Sequence, residues 1–236
     1  MDTSMEQRLV VANDLRESEK YGDASKAYTE CLVDLVDTND YAGLIHCLDG
    51  QSLIYKNLLT KNNSPVYHFL TVSFAQEALE IAEANKVKLD GRIISIAYST
   101  YGDALLGNGE HQEALGYFEK ALAVSTADIP EKGRLKAHIG GIKYLLGEKK
   151  GGIATIEEAL ADIRTGDMST YAIRVWETGA LNALSKIFAL EGDSKKALDL
   201  VDEALKIATY HNLSIRKRES EKILKKINSG DTNFSL

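Results

Sequence analysis

Apolar residues recur along most of the chain with a spacing close to 3.6 residues, the period of an α-helix. One such stripe is formed by Ala24, Ala27, Tyr28, Cys31, Leu32 and Leu35. No sustained alternation with the two-residue period of a β-strand appears in the sequence. The pattern therefore predicts an all-α fold. The predicted helices span residues 4–20, 23–37, 39–61, 65–86, 90–108, 111–126, 130–147, 150–165, 168–190, 194–210 and 213–228.

Short glycine-containing breaks separate these helices. They read Tyr21-Gly22-Asp23, Gly107-Asn108-Gly109-Glu110, Leu146-Gly147-Glu148 and Glu191-Gly192-Asp193. A glycine can adopt the left-handed conformation that ends a helix, and the polar residue after it can cap the next helix. Because short breaks make consecutive helices antiparallel neighbours, the sequence predicts about five antiparallel helix pairs and a C-terminal capping helix. The apolar side of the cap would consist of Leu213, Ile215, Ile223, Leu224 and Ile227.

The break glycines recur at a regular interval. Gly109 and Gly147 are 38 residues apart, and Gly147 and Gly192 are 45 residues apart. Gly22 and Gly109 are separated by 87 residues, which is two steps of about 43. A period of this size in a helical chain indicates stacked helix pairs.

The residues within each repeat resemble the tetratricopeptide repeat (TPR). The best copy reads Tyr98, Tyr101-Gly102, Leu105, Gly109, Ala114, Phe118 and Ala121. Small residues such as Gly102, Ala114, Ser185 and Ala197 are expected where two helices touch. The resemblance covers roughly residues 5–210, with repeats longer than the usual 34 or so residues. It implies a right-handed α-solenoid, in one domain over residues 1–228 with a flexible tail at 229–236. An unrelated helical solenoid or bundle is the alternative.

In such stacks the first helix of each pair lines a concave face, so the resemblance implies a partner-binding groove there. The candidate residues lie on the free faces of four first helices: His46, Asp49, Lys56, Ser99, Asp103, Arg134, His138, Tyr144, Tyr171, Arg174, Asn182 and Lys186. The Asn182 amide can both donate to and accept from a peptide backbone. Arg134, Arg174 and Lys186 suit a carboxylate or a phosphate. The alternative is that these polar faces are simply solvated.

Charge and composition narrow the function. The chain has 236 residues and a net charge of −7, which does not favour binding to nucleic acid. The basic residues are concentrated in 211–228, which carry +4, whereas the first 210 residues carry −10. This polarity could orient head-to-tail association into a homo-oligomer or attract an acidic partner; a merely solvated cap is the alternative.

The sequence contains no recognisable catalytic or metal-binding motif. None of its five histidines has a second histidine or a cysteine three or four residues away, and neither Cys31 nor Cys47 lies in a catalytic setting. No apolar run is long enough to span a bilayer, and two cysteines without a secretory signal favour a cytoplasmic protein with reduced thiols. We therefore expect no enzyme, no cofactor, no metal and no membrane partner.

The sequence thus predicts a non-enzymatic scaffold or adaptor that binds a protein or peptide in its concave groove. The alternative is a signal-peptide receptor, similar to bacterial regulators built on long tetratricopeptide repeats. One subgroup of the tetratricopeptide-repeat family binds chaperone tails through a clamp of lysine and asparagine residues. The corresponding positions here include Asp49 and Leu53, so that clamp is absent.

Overall fold

The structure is a computed structural model, and it describes residues 4–234. Within that range it contains eleven α-helices and no β-strand, which confirms the all-α prediction. The helices are α1 (Met5–Glu17), α2 (Tyr21–Leu35), α3 (Tyr41–Lys61), α4 (Pro65–Ala84), α5 (Gly91–Gly107), α6 (His111–Val124), α7 (Ile129–Leu145), α8 (Lys149–Ile163), α9 (Tyr171–Leu190), α10 (Ser194–Tyr210) and α11 (Ser214–Ser229). A short 3-10 helix, Lys86–Lys88, precedes α5.

Several turns between helices close in the same way, around one residue in the left-handed conformation. Gly109 has φ +79°, and the following Glu110 N–H donates to the carbonyl of Leu105 at 3.0 Å. Gly147 and Gly192 occupy equivalent turns, as the sequence predicts. The prediction for Gly22 was wrong. Gly22 lies inside α2, and Glu19, with φ 59°, takes the left-handed position in the first turn.

Contacts between helices divide the chain after Thr126 into two compact units. The first unit stacks three helix pairs, α1–α2, α3–α4 and α5–α6. The second unit stacks the pairs α7–α8 and α9–α10, and α11 packs against α9 and α10. The predicted set of five pairs and a final helix is therefore confirmed, whereas the single domain over 1–228 stays a prediction.

First helices of successive pairs lie side by side within each unit. In the first unit α3 contacts α1 and α5, and in the second unit α9 contacts α7 and α11. Close packing inside the pairs depends on small residues at the predicted positions. A Cβ at Gly102 would lie 3.0 Å from the Phe118 ring, and the Ser185 hydroxyl donates to the carbonyl of Ala197 at 2.8 Å.

Each unit has its own apolar core. In the first unit the fully buried Tyr28 ring fills the space between α1, α2 and α3, where the free thiols Cys31 and Cys47 are also buried. Burial raises the pKa of Cys47 to about 12, so this thiol stays protonated at neutral pH. In the second unit, Ile156 of α8 and Leu181 of α9 belong to one buried cluster.

The predicted tail, 229–236, is only partly described. Ser229 belongs to α11, and residues 235–236 lie outside the described range, as do residues 1–3 at the other end. Lys226 of α11 donates a hydrogen bond to the Asn233 carbonyl and lies 5.6 Å from the centre of the Phe234 ring. The described part of the tail therefore folds back onto α11. No helix within residues 4–234 is both long enough and apolar enough to cross a membrane.

Candidate functional site

The free face of α7 is defined by what its other faces touch. Gly133 and Gly140 press against α8, where an added Cβ would approach backbone atoms of Ala159 and Gly152 to less than 3.0 Å. Lys136 also points to α8, where it pairs with Glu158 and Asp162. Because helix residues are separated by about 100° around the axis, Arg134 and His138 lie on a different face. That face is the one that the sequence predicts as part of the groove.

Arg134 is the most distinctive residue of this face. Its side chain is partly buried, yet it forms no hydrogen bond and no ion pair with any residue between 4 and 234. A guanidinium carries five donors and a permanent charge, and burying it without a partner is unfavourable. Arg134 is therefore a partly buried cation without an acceptor among residues 4–234.

The neighbouring face of α9 is largely satisfied from within. Arg174 donates to the Met168 carbonyl at 2.7 Å and to a carboxylate oxygen of Glu177 at 2.8 Å. Glu177 is 3% exposed and also accepts from Arg164 at 2.8 Å. Tyr171, at the start of α9, is 42% exposed. Arg174 is thus neutralised by Glu177, whereas the Tyr171 ring remains accessible.

Farther along α9, the predicted residues are covered by α11. Asn182 is 0% exposed, and its Oδ1 accepts a hydrogen bond from the Ser220 hydroxyl at 2.9 Å. Its Nδ2 has no hydrogen-bond partner among residues 4–234. Lys186 pairs with Glu219 of α11 at 2.9 Å. The peptide clamp expected at Asn182 is therefore closed to solvent in this structure, and Lys186 is already paired.

Tyr144 of α7 also has an internal role. It is 7% exposed, and its hydroxyl donates to Glu191 at 2.6 Å. Burial and the hydrogen bond to Glu191 raise the pKa of Tyr144 to about 12. Lys149 of α8 contacts the same Glu191 carboxylate at 2.7 Å. Tyr144 therefore ties α7 to the end of α9 and is not part of an open surface.

In the first unit, the candidate residues of α3 and α5 contact one another. Lys56 pairs with Asp103 at 2.8 Å, and the Thr100 hydroxyl lies 2.5 Å from Oδ1 of Asp49. Asp103 is 13% exposed and Lys56 is 40% exposed, so the pair is open to solvent mainly from the lysine side. Lys56 and Asp49 therefore lie on the side of α3 that faces α5.

The two remaining candidates of this unit differ in access. His46 is partly buried on α3. Ser99 is 4% exposed, and its hydroxyl donates to the Ile96 carbonyl of its own helix at 3.0 Å. A partner that touches the surface could not reach Ser99 without a change in packing.

Sequence reasoning missed two charged residues that shape these surfaces. Arg16 of α1 donates to Glu17 and to the Tyr28 hydroxyl. Burial opposes its charge, but Tyr28, Glu17 and Asp49 of α3 together raise its pKa. Glu177 is the second, and its spacing of three residues from Arg174 was a usable signal. The contact between Arg16 and Tyr28 of α2 is set by tertiary packing and leaves no local signal.

The described residues contain no group of three or more histidine, cysteine or acidic side chains arranged to hold a metal ion. The chemistry that the two surfaces do offer is recognition: a free guanidinium and an exposed aromatic ring in the second unit, and a solvent-facing ion pair in the first. Guanidinium groups bind carboxylates with two parallel hydrogen bonds, and tyrosine rings supply apolar contact with a polar end.

No protein-family model and no curated protein sequence matches the chain. Solved structures do match it in fold. A Rap protein complexed with competence and sporulation factor has a TM-score of 0.71 at 16% identity, over 97% of this chain and 64% of that chain. The chain therefore spans less than two thirds of the length of that Rap protein.

Two further structures agree. The apo form of RapI has a TM-score of 0.60 at 14% identity, over 95% of this chain and 83% of that one. A thermophilic TPR protein from Thermus thermophilus has a TM-score of 0.57 at 19% identity, over 94% of this chain and 100% of that one. The chain therefore has the all-α solenoid fold of tetratricopeptide-repeat proteins.

Proposed function

We propose that this chain is a non-enzymatic binding module that holds an acidic segment of a polypeptide on α7 and α9. The observation that carries the proposal is Arg134, a partly buried arginine without a partner among residues 4–234. A carboxylate of the ligand would supply the missing acceptors, and the exposed Tyr171 ring would contact the adjoining part of the ligand.

The fold supports this proposal. A stack of helix pairs offers an extended and already ordered surface, so a flexible ligand bears most of the ordering entropy of binding. The Rap protein of the same fold is complexed with competence and sporulation factor. The predicted residues on which the proposal relies are Arg134 of α7 and the exposed Tyr171 of α9, because the other predicted residues of α9 are neutralised or covered.

The test uses pairs of synthetic peptides of about ten residues. The two peptides of a pair differ at one position, which is Glu in one and its neutral isostere Gln in the other. Binding is followed by calorimetry and by the fluorescence of Trp176, which lies on α9 and is the single tryptophan of the chain. We expect Glu-containing peptides to bind. The substitution Arg134→Gln should remove about 1.5–3 kcal/mol of binding free energy, a weakening of about 10- to 100-fold.

Lys150→Gln is the matched control, because Lys150 is an exposed cation at the start of α8. It removes the same charge from the chain but leaves α7 and α9 unchanged, so binding should change less than about twofold. If both substitutions weakened binding equally, the effect would come from the change in net charge of the protein and not from the proposed site. Full affinity in Arg134→Gln, or no binding by any peptide, would contradict the proposed site.

A signal-peptide receptor is the more specific form of this proposal. The likeness of the fold to a Rap protein complexed with a factor favours it, but the chain matches only 64% of that protein. The two forms differ in the size of ligand that they need. A receptor binds the free short peptide with high affinity, whereas an adaptor binds the same segment appreciably only within a folded partner. Comparing the free peptide with the peptide fused to a carrier domain distinguishes them.

A further inference from the structure

The outer side of the α1–α2 pair carries an unusual set of exposed apolar residues. Val33 of α2 and Val36, the residue that follows α2, are 67% and 66% exposed, and Val10 and Val11 of α1 are each 53% exposed. These side chains are available for apolar contact with a partner. We call this surface the acidic end, because the same two helices are rich in carboxylates.

The charge of the acidic end is clearly negative. Residues 5–37 contain eight carboxylates and four cations, a net of −4. Glu30, Asp34 and Asp37 surround Val33 on the exposed face of α2. Arg8 pairs with Asp34 at 2.5 Å, and together with Glu30 and Val33 they line a shallow groove. A partner of this surface needs apolar side chains flanked by positive charge.

The chain offers such a surface at α10 and α11. Two residues on one side of α10 already form ion pairs. Glu203 pairs with Arg164, the residue that follows α8, and Lys196 pairs with Glu157 of α8. The opposite side is uncovered and forms a shallow groove with mostly apolar walls, in which Leu205 takes part and Tyr210 is 82% exposed.

Next to this groove, α11 supplies the positive charge. It contains six cations and two carboxylates, a net of +4, and Lys217, Lys222 and Lys225 are exposed. Ser220 and Ile223, which face the rest of the second unit, are buried. We call the α10 groove and the exposed lysines of α11 the basic end.

We propose that the acidic end of one copy of this chain docks on the basic end of a second copy. The valines would enter the groove beside Leu205 and Tyr210, and Glu30, Asp34 and Asp37 would face the lysines of α11. The two surfaces carry opposite net charges of equal size, and each combines charge with exposed apolar side chains. Such a contact is heterologous, so two copies joined by one contact still have one acidic end and one basic end on which further copies can dock.

The test is a charge-swap experiment, followed by sedimentation velocity on the full chain. One variant, Lys222→Glu/Lys225→Glu, reverses two exposed charges of the basic end and takes the net charge of α11 from +4 to zero. The other, Glu30→Lys/Asp37→Lys, reverses two exposed charges of the acidic end and takes the net charge of residues 5–37 from −4 to zero. These four side chains are exposed, and Asp34 is left in place because it pairs with Arg8. Circular dichroism checks that both variants keep the helical content of the wild type.

We expect the wild type to form species larger than a dimer at about 50 mM salt, and to dissociate at about 500 mM salt because the charges are screened. Each variant alone should associate at least about tenfold more weakly than the wild type. An equimolar mixture of the two variants should restore association, because the unaltered acidic end of one variant can dock on the unaltered basic end of the other. At the altered ends, the introduced glutamates would face the introduced lysines.

The matched control is Lys120→Glu/Lys150→Glu, which changes the net charge by the same −4 as the basic-end variant, at exposed lysines of α6 and α8. It should associate as the wild type does. A wild type that stays monomeric at about 100 μM in low salt would overturn the proposal. A mixture no better than its separate variants, or a control as weak as they are, would do the same. Peptide binding through Arg134 is also measured in the Lys222→Glu/Lys225→Glu variant, which lacks the basic end but keeps α7 and α9 unchanged, so the two proposals fail independently.

Discussion

At the scale of single residues, Gly50 is a position where one added methyl group should have a large effect. It lies on α3 directly against the fully buried Tyr28 ring, and an added Cβ would be 2.7 Å from Cε2 and closer still to two other ring atoms. The ring is also fixed by its hydroxyl, which donates to Asn13 at 2.7 Å. We expect Gly50→Ala to reduce the free energy of unfolding by about 1–3 kcal/mol, measured by urea denaturation.

Gly116→Ala is the control for this substitution. Gly116 lies inside α6, and nothing is within 4 Å of the Cβ that the substitution adds. Because alanine is a better helix former than glycine, this variant should be more stable than the wild type by about 0.5–1 kcal/mol. A Gly50→Ala protein as stable as Gly116→Ala would show that the Tyr28 ring can move aside at no cost.

The same scale shows what spacing along one helix could and could not predict. Arg174, Thr178 and Asn182 are spaced by four residues, and this spacing alone puts them on one face of α9. It could not show that Ser220 of α11 covers Asn182, because the partner helix is 38 positions away in the chain. Similarly, Arg134 and Arg174 look equivalent in the sequence, and only the buried Glu177 distinguishes the neutralised arginine from the free one.

At the scale of helices, α11 is held by charge as well as by apolar contact. Glu219 accepts from Lys186 of α9 at 2.9 Å and from Arg216 of its own helix at 2.8 Å. Burial opposes the charge of Glu219, but Lys186 and Arg216 outweigh it and hold the pKa of this carboxyl well below its usual range. Glu219→Gln should therefore loosen α11 by about 1.5–3 kcal/mol, seen as faster amide exchange in residues 214–229.

The pH dependence of this contribution has a definite sign. A carboxyl with a lowered pKa in the folded state stabilises that state fully above its ordinary pKa of 4.5, and the contribution is lost as the pH falls below it. The difference in exchange between wild type and Glu219→Gln should thus be full at pH 7 and shrink in acid. Glu221→Gln, at an exposed position of α11, should exchange like the wild type at both pH values. If Glu219→Gln also exchanged like the wild type at both pH values, the conclusion that Glu219 holds α11 in place would be wrong.

The existence of the helices was the most predictable feature, because each helix buries one apolar stripe and that stripe is visible in the sequence. All eleven predicted helices exist within residues 4–234. The ends were less predictable: α9 begins at Tyr171 rather than at 168, because the apolar Met168 continues the stripe into a turn. The 3-10 helix Lys86–Lys88 was missed, since three residues are too few to show a period.

At the scale of the whole molecule, the question is how far unfolding is cooperative. Packing divides the described chain after Thr126, and the two units have separate cores. The sequence repeat continues across this boundary. Gly109 and Gly147 lie on either side of it and are 38 residues apart, which is close to one repeat. In repeat proteins stability is a sum over repeats and their nearest neighbours, so a regular repeat favours a single cooperative transition.

We therefore propose that residues 1–228 unfold as one domain, and Gly50→Ala together with Trp176 tests it. The substitution weakens the first unit, whereas the single tryptophan lies in the second. If the chain is one domain, the Trp176 fluorescence midpoint in urea should fall as far as the midpoint from circular dichroism, because coincident probes mark a two-state transition. An unchanged Trp176 midpoint beside a two-step circular dichroism curve would show two independently folding units, and the single-domain prediction would be wrong.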